Sequence, residues 1–285
     1  MTSLRADVFL TNMIPVSNTG PLPQGVVPLW QPTSSTLISG QKEAVLIDAS
    51  LTKTQAEELA DWIAGIGKRL TTIYITHGHG DHSFGLPTLL RRFPEANAVA
   101  TPKVIELLKV QAVNPLWEQN FPGQIEWPQV FPNALETNSL EVEGEALEIV
   151  DVGHSDTDAS TFVHVPGLDL IVAGDIVYND VHQYLAESTT REAREAWKAS
   201  IRKIEERKPH TVVCGHKRPG AVDSAVNLQA TVEYIDTFGH LVSQSSGAED
   251  LFTRILKAYP HRVNPFMAWW SSSAAFPQAT SHKQS

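Results

Sequence analysis

Cysteine is almost missing from this chain of 285 residues, where Cys214 stands alone. One thiol excludes a disulfide framework and a zinc ribbon, both of which need several. Charge is sparse too, at 19% of residues, and positive charge is the sparser sign: 22 Lys and Arg stand against 32 Asp and Glu, for a net charge of −10. Nucleic-acid phosphates demand clustered cations, so no nucleic-acid partner is expected. The one basic stretch, Arg202, Lys203, Arg207, Lys208, Lys217 and Arg218, is interrupted by Glu205 and Glu206 and reads as a solvated helix face. Long apolar runs are missing as well. The first residues lack a signal-peptide core, and no stretch approaches a membrane span, so no membrane association is expected and the cytosol is the expected compartment.

Apolar residues are plentiful, at 42%. At this length folding removes roughly 75% of the unfolded chain's surface from water, enough for a core without staples. One domain over residues 1–270 is expected, followed by a flexible Ser-, Ala- and Gln-rich tail at 271–285. The composition carries one oddity, eleven histidines in an acidic chain.

Proline and glycine break residues 1–34 into an arm of short strands and turns. Segments 35–40 and 44–48 read as a hairpin, 53–64 as a helix closed by Gly65 and Gly67, and 70–76 as a strand. A helix near 84–92, a strand near 97–101 and a helix from Pro102 to about Val110 follow. Residues 111–138 then break the rhythm, with Pro115, Pro122, Pro128 and Pro132 set among Trp117, Phe121, Trp127 and Phe131. Such an insert is either a surface loop pinned by its aromatics or a lid or wall over a pocket. Beyond it lie strands at 146–152, 160–165 and 168–173, a helix at 191–207, a strand at 211–214, and C-terminal helices at 221–238 and 248–258 within residues 221–270. Strands gather in two halves with helices between, which predicts an α/β sandwich of two sheets flanked by helices.

The histidines concentrate at Thr76-His77-Gly78-His79-Gly80-Asp81-His82, directly after a predicted strand. Imidazole and carboxylate together are ligands for zinc, iron or manganese, and not for calcium or magnesium. Glycines between them allow tight turning where a side chain would block an ion. Three more candidates each follow a glycine at a strand end: His154 after Gly153, Asp175 after Gly174, and His216 after Gly215. Alone, each reads as an ordinary loop histidine or a turn-forming aspartate.

His-x-His-x-Asp-His is the signature of the metallo-β-lactamase superfamily, which this chain resembles over about residues 35–220. The resemblance implies a four-layer αββα sandwich and two divalent metal ions, zinc first and iron or manganese as alternatives. His77, His79 and His154 would hold one ion, and Asp81, His82 and His216 the other, with Asp175 bridging both. Well-known β-lactamases of this family carry Cys at the position of Asp175, so antibiotic hydrolysis is not expected. The bridging Asp resembles the glyoxalase II, lactonase and RNase Z branches, the last disfavoured by the acidic charge. Tyr178, three residues past Asp175, resembles the lactonase branch, where such a phenol donates to the substrate oxyanion; the alternative is a tyrosine packed below the site. His182 reads as a wall or surface histidine.

The implied function is a dinuclear hydrolase that opens a cyclic ester, or an activated amide or lactam, by attack of a metal-bridging hydroxide. Asp81 would shuttle the proton and Tyr178 would steady the oxyanion. The alternatives are a glyoxalase II-like thioesterase and a persulfide dioxygenase that binds a single iron through two His and an Asp. Trp30, Trp117, Phe121, Trp127, Phe131, Phe266, Trp269 and Trp270 are candidate pocket walls for a small apolar or aromatic substrate.

Overall fold

Alternation of apolar side chains along two groups of strands explains the layering seen in the computed structural model, which describes residues 4–277. The first sheet runs in the order Arg5–Leu10, Ser34–Ser39, Glu43–Ile47, Arg69–Tyr74, Asn97–Ala100 and Asn133–Ala134. The second runs Thr211–Val213, Leu170–Val172, Ser160–Val165, Glu145–Gly153 and Ser139–Val142. In the first sheet Leu37, Leu46 and Ile73 point to one side, while Ile38, Val45, Ile47 and Tyr74 point to the other. Period two thus serves two cores from one strand.

The first of these cores lies under α1 (Lys53–Ile66), α2 (Leu86–Arg92) and α3 (Pro102–Ala112), which bury Leu59, Ile63, Leu89, Val104 and Leu108 against the first sheet. The second core fills the space between the sheets, where Ile38, Val45 and Ile47 meet Leu147, Ile149, Val163 and Val172. After the short α4 (Leu116–Asn120), three helices cover the second sheet: α5 (Arg191–Glu205), α6 (Val226–Gln244) and α7 (Ala248–Ala258). Their Trp197, Ile201, Phe238 and Leu251 pack on Phe162, Ile171 and Val212. The last helix, α8 (Pro265–Ala275), contributes Phe266 and Met267 to a fourth, aromatic cluster with Trp30, Phe84, Trp117 and Phe121. The order helices–sheet–sheet–helices is the expected αββα sandwich.

Local chemistry accounts for the element ends. Thr52 accepts a hydrogen bond from the Gln55 amide while Gln55 reaches back to the Thr52 amide, and Gly67 closes α1 at φ 75°. The N-terminal arm supplies a strand, Arg5–Leu10, which pairs antiparallel with Ser34–Ser39, from Arg5 opposite Ser39 to Leu10 opposite Ser34. Two expected boundaries move. The helix expected from residue 221 begins at Val226, because the Val222 carbonyl is taken by the side chains of Asn179 and Asn227. Residues 271–275 of the expected tail are instead the end of α8, with Ser271 and Ser272 buried; residues 278–285, with His282, lie outside the described residues.

Trp197 is completely buried, and its indole N–H donates to the Ile176 carbonyl at 2.9 Å. Trp197→Ala is expected to lower stability by about 3–5 kcal/mol, read as a lower denaturant midpoint.

Candidate metal centre

Every candidate ligand sits where a strand gives way to a turn. Past Arg69–Tyr74 the chain enters a 3-10 turn at Gly80–His82 that swings Asp81 and His82 back beside His77. Asp48, at the end of the neighbouring strand, anchors this segment by accepting from the Thr76 amide and hydroxyl, both at 2.9 Å. A Cβ on Gly78 would overlap the Leu107 side chain of α3, so the hexad needs its first glycine. Asp175 lies in the 3-10 turn Gly174–Ile176, and His216 follows Thr211–Val213. A Cβ on Gly215 would overlap Oδ1 of Asp175.

The ring tautomers follow from the outer partners. The Thr76 hydroxyl gives its hydrogen to Asp48, so Nδ1 of His77 donates to it, at 2.9 Å. Nδ1 of His82 donates to Asp48 at 2.9 Å, and Nδ1 of His216 to the Pro32 carbonyl at 2.8 Å. His79 is reversed: Nε2 donates to Glu187 at 3.1 Å, which leaves Nδ1 turned inward. Each imidazole therefore turns its other nitrogen to a common interior, the arrangement by which outer partners orient metal-binding histidines.

Three donor groups result among the described residues: Asp48, His77 and His82, in which Asp48 already accepts from Thr76 and from Nδ1 of His82, and two others, one of His77, His79, Asp156 and Asp175 and one of Asp81, His82 and His216. Asp175 stands between the last two. Its Oδ2 lies 3.0 Å from Nε2 of His216 and 3.8 Å from Nε2 of His77, and its Oδ1 lies 3.2 Å from Nε2 of His82. Six of the seven expected ligands are thus brought together.

His154 is not among them. Nδ1 of its ring lies 2.7 Å from Asp158 and Nε2 lies 2.8 Å from the Ser188 hydroxyl, so both nitrogens are engaged elsewhere. The cause is local: a bulge between Asp151 and Gly153, with Gly153 at φ 88°, turns the chain before the histidine. The tight loop that follows, closed by Ser155 N to Thr157 O at 2.8 Å, carries Asp156 inward instead. Asp156 is completely buried, with Oδ2 3.1 Å from Nδ1 of His79.

For Tyr178 the structure matches the alternative, a tyrosine packed below the site. It is completely buried against Trp197 and does not line the cavity; its hydroxyl donates to Oδ2 of Asp175 at 3.0 Å. Burial and the Asp175 charge push its pKa well above the ordinary phenol value, so it remains a donor to that carboxylate. His182 is neither wall nor surface: it is buried, with Nδ1 2.9 Å from the Tyr234 hydroxyl, and burial drives its pKa down to about 3.

The donor set fits divalent metal. Nε2 of His77, Nε2 of His82 and Oδ1 of Asp175 are buried and make no hydrogen bond, a state polar atoms rarely keep without a partner such as an ion. Burial penalises the charged form of every group here, yet the facing carboxylates still hold His79 and His82 well above their usual range and lift His216 to about 9. For Asp156 burial wins, and its pKa rises to about 6. The pocket carries carboxylate that seeks positive charge, and neutral nitrogens with carboxylate oxygens suit zinc, iron or manganese.

Trp30 links this centre to the space above it, because its indole N–H donates to Oδ2 of Asp81 at 3.0 Å. Trp30→Phe keeps the ring and removes that bond. It is expected to weaken metal retention by about tenfold in chelator competition, the usual range for an outer partner.

A cavity opens over His79, Asp81, Asp175 and His216. Trp30, Trp117, Trp270 and Tyr184 form its aromatic side, and Gln111 to Asn120 of the expected insert make one wall. Tyr184 sets its ring edge-on to His79, with centroids 5.6 Å apart. The other expected walls serve elsewhere. Phe121 is buried beneath Trp30, Trp127 and Phe131 are exposed, Trp269 packs on Phe252, and Phe266 lies in the aromatic core.

An αββα sandwich with paired His and Asp donor groups at its strand ends defines a metallohydrolase-type fold. The model of the metallo-beta-lactamase superfamily matches residues 28–216, and the chain belongs to that family. Among curated relatives, hydroxyacylglutathione hydrolase of Parasynechococcus marenigrum is 25% identical over 177 residues, 60% of each chain. Ribonuclease J of Pyrococcus abyssi is 27% identical over 144 residues, 47% of this chain and 29% of that protein, so the chain spans less than two thirds of either relative. Among solved structures, a metallo-beta-lactamase from Pontibacter korlensis superposes with TM-score 0.60 at 20% identity, covering 82% of this chain and 99% of that one. FIM-1 from Pseudomonas aeruginosa, in its mono-zinc form, gives 0.57 at 16% identity over 82% and 91%. These likenesses are of fold.

Proposed function

We propose that the chain is a metal-dependent hydrolase of ester-type bonds, opening a lactone or simple ester, or an activated amide or lactam. One observation carries the reading: two donor groups lie side by side at the base of an aromatic cavity, with Asp175 of one 3.2 Å from His82 and 3.0 Å from His216 of the other. His77, His79, Asp156 and Asp175 would hold one divalent ion, and Asp81, His82, His216 and Asp175 a second. Such ions supply Lewis acidity and make water nucleophilic near neutral pH. The chain's own groups do the rest. Asp81 keeps one oxygen between Trp30 and His216 at the cavity floor, placed to carry a proton toward the leaving oxygen or nitrogen. Tyr184 lines the cavity beside His79 and takes the oxyanion-donor role expected of Tyr178. Tyr184→Phe is expected to lower kcat by about 100-fold with little change in KM, as for loss of one such donor. Tyr178→Phe acts instead through the position of Asp175, and lowers metal content.

The reading is tested by metal analysis joined to acid release from lactones, aryl esters, lactams and thioesters. Two ions per chain with release from an oxygen ester or lactone is the expected result. The thioester alternative draws support from the hydroxyacylglutathione hydrolase relatives. The dioxygenase alternative draws support from His77, His79 and Asp156, two imidazoles and a carboxylate in one group, as in non-haem iron sites. One iron per chain with oxygen uptake and no acid release would replace the hydrolase reading.

A further inference from the structure

We infer that Glu187 is a positioning residue of the metal centre: its carboxylate places His79 and Asp156 together, so that one ion of the pair depends on it and the other does not. The inference rests on the two-ion part of the proposed function and on nothing about the substrate. Glu187 gives one oxygen to each half of the group formed by His77, His79, Asp156 and Asp175. Its Oε1 lies 3.1 Å from Nε2 of His79, and its Oε2 accepts from the hydroxyl of Thr157, the residue after Asp156, at 2.7 Å. These partners stand 108 and 30 residues away in sequence, so no local pattern joins them.

An imidazole can present either nitrogen, and the partner held by one nitrogen decides which of the two faces an ion. His77, His82 and His216 hold Nδ1 against the buried residues Thr76, Asp48 and Pro32, and turn Nε2 inward. Of the four, His79 alone turns Nδ1 inward, 3.1 Å from Oδ2 of Asp156, and its outer partner is the one at the surface: the Glu187 side chain is 41% exposed. The loop that carries Glu187 is held from several sides. Next to it, the Ser188 hydroxyl donates to the Ser155 carbonyl at 2.9 Å, on the near side of Asp156. Arg194 of α5 donates to the carbonyls of Ser188 and Thr189 at 3.1 and 2.6 Å, and Ser271 of α8 accepts from the Leu185 amide at 2.9 Å. Because α8 lies beyond residue 216, where the family match ends, a part of the chain outside the shared region reaches the centre through this carboxylate. Without it the His79 ring is free to present either nitrogen, and the Asp156 loop keeps only its bonds to Ser188 on this side. The group of Asp81, His82 and His216 has no such dependence, since Asp48, Pro32 and Trp30 hold it.

Chelator competition on the zinc-loaded protein separates the outcomes. Glu187→Ala is expected to weaken one ion by about 10–100-fold, the range for loss of an outer partner, and to leave the other unchanged. Glu187→Gln can still accept from His79 and donate to Thr157, and is expected to hold both ions within about tenfold of the unaltered protein. Histidine nitrogen NMR adds a readout that general loosening does not move. In the unaltered protein and the Gln variant, His79 is expected to carry its proton on Nε2, opposite to His77, His82 and His216. In the Ala variant His79 alone is expected to lose that assignment. Equal weakening of both ions, full affinity for both in Glu187→Ala, or a Gln variant as weak as the Ala one overturns the inference. If the unaltered protein takes up fewer than two ions, the two-ion centre itself is at fault, and metal-free crystal structures decide the role of Glu187. There the His79 ring of the Ala variant is expected to leave the pose that faces Asp156; an unmoved ring overturns the inference.

Discussion

Asp156→Ala is expected to take the metal content from two ions per chain to one, whereas His154→Ala keeps both. The contrast is sharp because the two residues lie two positions apart in one loop and differ in what their side chains touch. Asp156 is buried beside His79 and completes the donor group of His77, His79 and Asp175. Without it that group keeps two nitrogens and the Asp175 oxygen, which also lies within reach of His82 and His216, so its ion is held more weakly than the other. Hydrolysis should fall with it on the order of 10³-fold, because a Lewis-acid contribution of several kcal/mol goes. His154 loses hydrogen bonds to Asp158 and Ser188 when truncated, neither of which reaches a donor group. Asp156→His should restore metal. Elemental analysis after chelation and reloading checks all three variants; loss of metal in His154→Ala with retention in Asp156→Ala would return the ligand role to the histidine.

Gly215→Ala is expected to lower metal content below one ion per chain, a larger effect than most single-ligand changes. The added methyl would overlap Oδ1 of Asp175 and lie 2.7 Å from the carbonyl carbon of Gly174. Neither neighbour can yield cheaply, since the Gly215 amide is tied to the Gly174 carbonyl at 2.7 Å and Asp175 is held by the Tyr178 hydroxyl between His82 and His216. Either the carboxylate turns out of the centre or the two strand ends part. Gly65→Ala is the matched control, because a Cβ there meets open space and a helical alanine is worth about 0.5–1 kcal/mol over glycine. Metal content and thermal melting of the pair decide the matter; full loading and an unchanged Tm in Gly215→Ala would contradict the crowding.

Much of the centre is legible in the residues because it is contiguous or punctuated. The hexad from His77 to His82 carries four ligand-type side chains on one stretch, and Asp175 and His216 each follow a glycine at the end of an apolar strand. The same punctuation misleads at His154, where the bulge before Gly153 reverses the side chain and the nearby aspartate enters instead. Tyr178 stands at the expected spacing from Asp175, but the intervening 3-10 turn aims its hydroxyl at that carboxylate and not at the cavity. Outer partners are the least legible. Asp48 meets His82 across 34 residues and Trp30 meets Asp81 across 51, and no local pattern announces either pair. The layers were readable from the grouping of strands; the helix start at Val226 was not, because side chains distant in sequence occupy the preceding backbone.

The bond from His216 to the Pro32 carbonyl joins residues 184 apart, and beside it the Ser34 hydroxyl donates to the Cys214 carbonyl across 180. Trp30, which holds Asp81, lies on the same early segment. Early and late chain are thus sewn together at the metal centre, so the second donor group exists only after the two ends have met. Contacts of such separation close late, because the loop entropy must be overcome before they form. Metal uptake during refolding would therefore act as a clock for the last step of assembly, silent until the segment from Trp30 to Ser34 has docked.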